Sequence, residues 1–90
     1  MPNVQVPDAW GTVIGETTVV EVEATTVLSA LEILTNRFPA LRGRVFSTPG
    51  VVASWLNVAV DGAIVGRADI PRTLLTADQT VLVVPALAGG

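Results

Sequence analysis

Ninety residues, 50 % of them hydrophobic and 14 % charged, suffice for one compact domain with its own core and leave no room for a second. The absence of Cys and His excludes disulfide bridges, thiolate or imidazole metal sites, and nucleophilic catalysis by Cys–His or Ser–His pairs. With a net charge of −3, scattered Arg37, Arg42, Arg44, Arg67 and Arg72 as the whole basic complement, no basic-then-apolar leader in MPNVQVPDAW and no apolar run near the roughly 18 residues of a bilayer span, neither nucleic acid nor membrane is an expected partner, and a cytoplasmic location is expected.

Strands are predicted over Asn3 to Val6 and Thr17 to Glu23, where Val4 and Val6, then Thr18, Val20 and Val22, alternate with more polar neighbours. Pro7, Asp8, Gly11 and Gly15 mark a long hairpin loop between them. From Thr25 or Thr26, either able to cap a helix, the period lengthens: Val27, Leu31, Leu34 and Phe38 share one helical face, and Pro39 ends the run. Leu41 to Ser54 holds Gly43, Pro49 and Gly50 among apolar residues and reads as a packed connection. Leu56, Val58 and Val60 alternate again, and Asp61-Gly62 is a hairpin turn into Ala63 to Val65. After a short turn over Leu74 to Asp78, Thr80 to Val84 is apolar on both faces, as befits a central strand. Pro85, lacking an N–H, is expected to end its ladder.

The order ββαβββ describes an α+β domain, one mixed sheet with one main helix packed across it. The expected division is a domain over 1–84 and a thin, flexible tail over 85–90. Val81 and Val83 are read as the pair facing the helix. The opposite face then carries Val19, Ala59, Leu82 and Val84 uncovered, which makes it a docking surface. Trp10 and Trp55 are read first as core-edge packers and second as partner anchors. Glu21, Glu23 and Glu32 are read as solvated, since no base or nucleophile accompanies them, and Arg42 and Arg44 as residues of a solvated loop.

Gly89-Gly90 is the most informative feature. A C-terminal carboxylate that must enter a narrow nucleotide site tolerates no side chain near its acyl carbon, and two glycines remove the obstruction. Ala86 and Ala88 lose almost no rotamer entropy when threaded into a partner, and Leu87 offers one apolar anchor. By itself Gly-Gly also describes a frayed end. Together, however, the strand order, the helix opening at Thr26-Val27-Leu28, the hairpin Leu56-Asn57-Val58-Ala59-Val60-Asp61-Gly62 and the ending Val81-Leu82-Val83-Val84-Pro85-Ala86-Leu87-Ala88-Gly89-Gly90 resemble the ThiS/MoaD superfamily of ubiquitin-like sulfur carriers.

That resemblance implies a ubiquitin-like β-grasp fold and a protein cosubstrate rather than an enzyme, with no catalytic residue, metal or bound cofactor of its own. An E1-like adenylating enzyme would use ATP to activate Gly90, a sulfur donor would convert it to a thiocarboxylate, and Gly89 would give access. Leu87, Ala88, Ala86, Leu82, Val84 and Ala59 would meet the partners. The extended Leu41 to Ser54 segment looks more like the cysteine-synthesis carriers or the molybdopterin synthase small subunit than the shorter thiamine carriers. The implied sulfur acceptor is then a pyridoxal-phosphate cysteine synthase, or the molybdopterin synthase large subunit, or an enzyme of secondary metabolism. A ubiquitin-like protein modifier uses the same activated Gly-Gly chemistry, and a plain β-grasp interaction module is the remaining alternative.

Overall fold

In the computed structural model, which describes residues 1–85, the alternating valines form the strands that their spacing predicts. The elements are β1 (Asn3–Gln5), α1 (Asp8–Gly11), β2 (Val19–Glu21), α2 (Val27–Arg37), α3 (Arg42–Val45), β3 (Phe46–Thr48), β4 (Val51–Val52), β5 (Leu56–Val60), β6 (Ala63–Val65) and β7 (Thr80–Pro85). Single 3-10 turns lie at Pro39–Leu41 and Arg67–Asp69. Five strands form one mixed sheet in the order β2-β1-β7-β5-β6. The last strand is central, parallel to β1 and antiparallel to β5, as its two-faced apolar composition predicts.

The register explains the core. Val20, Val4, Val81 and Val60 stand in one row across the sheet and Val83 and Val58 in the next, all at most 8 % exposed. The inward pair on β7 is therefore Val81 and Val83, with Leu82 and Val84 on the other face. Across the inward rows lies α2, which buries Val27, Ala30, Leu31 and Leu34 completely. Thr26 rather than Thr25 caps it: Thr26 Oγ1 accepts from the Ser29 N–H, and Ser29 Oγ accepts from the Thr26 N–H, each at 3.1 Å. The helix ends where the Phe38 N–H donates to the Leu34 carbonyl, just before Pro39.

Two stretches read as connections carry structure of their own. Between β1 and β2 the chain forms α1, and Trp10 and Ile14 are each only 5 % exposed, so the segment closes one end of the core. Within Leu41 to Ser54 the chain forms α3 and then a second, two-stranded sheet of β3 and β4. Pro49-Gly50 is the tip of that hairpin, with Gly50 at a φ of 78° that glycine adopts without strain. Strands of two or three residues are too short for an alternation to be visible. Arg42 and Arg44 accordingly lie on a helix, exposed, instead of on a loop.

Pro85 belongs to β7, opposite Leu56. The Asp61 N–H donates to the Thr80 carbonyl at 3.1 Å, so the hydrogen-bonded pairs are 61–80, 59–82 and 57–84, and the Leu56–Pro85 pair needs no N–H toward β5. A proline is thus accommodated at the last pair.

Because Val83 is 1 % exposed in the inner row, Val83→Asp is expected to bury an unpaired carboxylate and unfold a domain whose total stability is about 5–15 kcal/mol. Far-UV circular dichroism would show it, and Leu82→Asp, on the half-open face, is expected to retain the native spectrum.

Candidate exit site of the last strand

Strand β7 carries the chain to one end of the sheet, and the topology decides what surrounds that end. Parallel β1 also finishes there, which brings α1 with it, and antiparallel β5 begins there. Trp10, Trp55 and Arg44 are thereby gathered. Trp10 is buried at 5 %, with the Arg44 guanidinium 6.0 Å from its ring centroid. Trp55 is 44 % exposed, and its indole N–H donates to the Arg44 carbonyl at 3.2 Å. The two tryptophans, indistinguishable in the sequence, have different environments: Trp10 packs and Trp55 faces solvent beside the root of the tail.

Arg67 holds this end together. Its Nη1 donates to the carbonyls of Val52 (3.0 Å) and Ala53 (2.8 Å), and its Nη2 to those of Ser54 and Leu56 (2.9 Å each). These carbonyls run from the end of β4 to the first residue of β5, and β6, which pairs with Val58 to Val60, does not reach them. One guanidinium supplies what a neighbouring strand would have supplied. Sequence reading passed over Arg67 because nothing near it in the chain marks it; its partners are 11 to 15 residues away.

The face opposite α2 is a row of Val19, Gln5, Leu82, Ala59 and Ile64 from β2 across to β6. This corrects the expected strip in three respects. Gln5 separates Val19 (48 % exposed) from Leu82, because β1 lies between their strands. Ala59 is only 4 % exposed: its methyl group lies between the larger register neighbours Leu82 and Ile64. Ile64, absent from the expected strip, is 72 % exposed. The exposed apolar surface adjoining the exit is therefore half-buried Leu82 with Val84, which is 41 % exposed.

Ala86, Leu87, Ala88, Gly89 and Gly90 lie outside the described residues. Glu21, Glu23 and Glu32 are exposed on or beside separate elements, and among the described residues no three acidic side chains form a metal-sized cluster. A groove of ≈ 650 Å³ runs between α2 and the β3–β4 hairpin, lined by Glu32, Asn36, Arg42, Phe46 and Thr48 among others, with no residue of β7 in its wall. Among the described residues no helix is long and apolar enough to cross a membrane.

Comparison with known proteins agrees with this geometry. The ThiS family profile matches residues 4–90. Among solved structures, the BexX/CysO complex of Amycolatopsis orientalis contains a chain that superposes with a TM-score of 0.81 at 23 % identity, over 100 % of both chains. SAMP1 from Haloferax volcanii superposes at 0.75 with 26 % identity, covering 99 % of this chain and 98 % of that one. CysO of Mycobacterium tuberculosis gives 0.82 at 19 % identity, covering 97 % and 100 %. The fold is the ubiquitin-like β-grasp. Comparison with curated proteins gives no match.

Removing the Arg67 fork leaves carbonyls at the start of β5 without their donors, so Arg67→Met is expected to destabilise the domain by about 1.5–3 kcal/mol. Arg67→Lys is expected to recover only part of that, since an ammonium cannot reproduce the planar fork. Urea unfolding of the three proteins measures both effects.

Proposed function

The chain belongs to the ThiS family, and on that basis we propose that it is a sulfur carrier whose Gly90 carboxylate is converted to a thiocarboxylate. The observation that carries the reading is that the family match runs through Gly90, so the Gly-Gly ending lies within the matched region. In the first step, one oxygen of the Gly90 carboxylate attacks the α-phosphorus of ATP in an E1-like enzyme, giving the acyl-adenylate and releasing pyrophosphate. In the second, sulfide-level sulfur released by a donor as hydrosulfide attacks the acyl carbon, the C–S bond forms as the C–O bond to AMP breaks, and AMP leaves. Adenylation is required because a carboxylate is a poor electrophile. Closure of the partner around a tail without side chains near the reacting carbon keeps water from the adenylate.

The chain's own part is to be held and presented. Its domain supplies the docking surface of Leu82 and Val84, and Leu87, with Ala86 and Ala88 beside it, is the apolar anchor of the tail. It acts as a cosubstrate, and ATP belongs to the partner. The sulfur then passes to a biosynthetic acceptor. We place cysteine biosynthesis on a pyridoxal-phosphate synthase first, on the extended segment 41–54, with molybdopterin synthesis and secondary metabolism next.

A second reading, that of a protein modifier, is favoured by one observation: SAMP1 of Haloferax volcanii, which this chain resembles at 26 % identity, is a small archaeal modifier protein. The two readings share the adenylate and differ in what attacks it, a sulfur donor or a lysine amine.

Intact mass separates them. Incubation with ATP, the E1-like enzyme and a sulfur donor is expected to add about 16 Da, the exchange of one oxygen for sulfur, whereas conjugation adds the mass of a whole protein. Gly90→Val is expected to keep the melting temperature and lose the added mass; a fully loaded Gly90→Val protein contradicts the mechanism. Leu82→Asp is expected to fold and to lose binding to the adenylating enzyme in a pull-down, because it places a charge in an apolar contact.

A further inference from the structure

Resting on the carrier reading, we infer that Trp55 is the anchor by which the adenylating enzyme grips the domain while Gly90 occupies its nucleotide site. Gly90 is five residues beyond Pro85. Five residues of extended chain span at most about 18 Å. An enzyme that surrounds the Gly90 carboxylate with nucleotide and closes over the tail therefore has its rim against the end of the sheet where β7 stops. Trp55 stands at that rim, one residue beyond the Leu56–Pro85 pair.

Its state suits recognition. The ring is 44 % exposed, while its polar edge is already satisfied by the Arg44 carbonyl, so covering the ring leaves no donor unpaired. The carbonyls on either side of it, Ser54 and Leu56, are both tied to Arg67 Nη2. An aromatic side chain held in this way gives up little freedom on binding, and Trp is the residue type most enriched where interfaces concentrate their energy. On the neighbouring strand Val84, paired with Asn57 two residues along from Trp55, is also exposed, at 41 %. The partner surface that fits is an apolar recess at the mouth of the channel that takes the tail.

Leu74 provides the control. It is 73 % exposed but bridges to Thr26, beyond the end of β2 and hence at the opposite end of the sheet. Pyrophosphate release by the E1-like enzyme would be followed with increasing concentrations of the wild-type chain, Trp55→Ala, Trp55→Phe and Leu74→Ala. Trp55→Ala is expected to raise KM about tenfold or more with kcat within about twofold, Trp55→Phe to fall between, and Leu74→Ala to match wild type. Melting temperatures are expected to agree among the four proteins, and mixing wild type with the enzyme is expected to shift Trp55 emission to shorter wavelength. Wild-type adenylation with an unmoved KM for Trp55→Ala overturns this inference alone, as does a fall in kcat without a change in KM. A wild-type chain that is never adenylated overturns the carrier reading and this inference with it.

Discussion

The structure depends on the pairing of β7 between β1 and β5. The last strand in the sequence occupies the middle of the sheet, parallel to the first strand and antiparallel to the fifth. Until it inserts, the two hairpins β1–β2 and β5–β6 have no common ladder, and the inward valines of neither can complete a row. The parallel pairing with β1 joins residues almost 80 positions apart, a non-local contact whose loop-closure entropy the buried rows must offset. A consequence follows for function: the chain leaves the domain from its most constrained element. At its root, Pro85 is paired with Leu56 of β5, while the register with β1 runs over Thr80 to Leu82.

Arginine completes the backbone where strands run out. The outward carbonyls of edge strand β2 are both taken: Glu21 accepts from Arg37 Nη1 at 2.9 Å and Val19 from Thr17 Oγ1 at 3.1 Å. Strand addition at that edge is thereby discouraged. At the start of β5 the Arg67 fork does the same for four carbonyls. In a chain with no Lys, the planar guanidinium is the side chain whose several fixed donors match a set of carbonyls, and two of its five copies are used this way. The acidic balance of the surface is then carried by carboxylates that no element brings together.

On the proposed carrier reading the chemistry is shared between proteins. A chain without Cys or His offers neither thiolate nor imidazole. What the domain would contribute on that reading is an address: a face with half-buried Leu82 and exposed Val84, the exposed ring of Trp55, and a sequence that ends in two glycines.

The sequence by itself determined the main helix, all five strands of the large sheet to within a residue or two, the centrality of β7 and the inward choice of Val81 and Val83. These rest on local periodicity, which a chain displays wherever an element is long enough to repeat. The Gly89-Gly90 ending was legible for a similar reason, since a missing side chain is itself the signal. Tertiary structure alone decided which of two tryptophans is exposed, that Ala59 is covered by its neighbours, that Gln5 divides Val19 from Leu82, and that Arg67 binds carbonyls 11 to 15 residues distant. It also decided that Leu41 to Ser54 holds a second small sheet. Those facts depend on which strands become neighbours, and strand order is set by pairing across the whole chain, about which a window of ten residues carries no information.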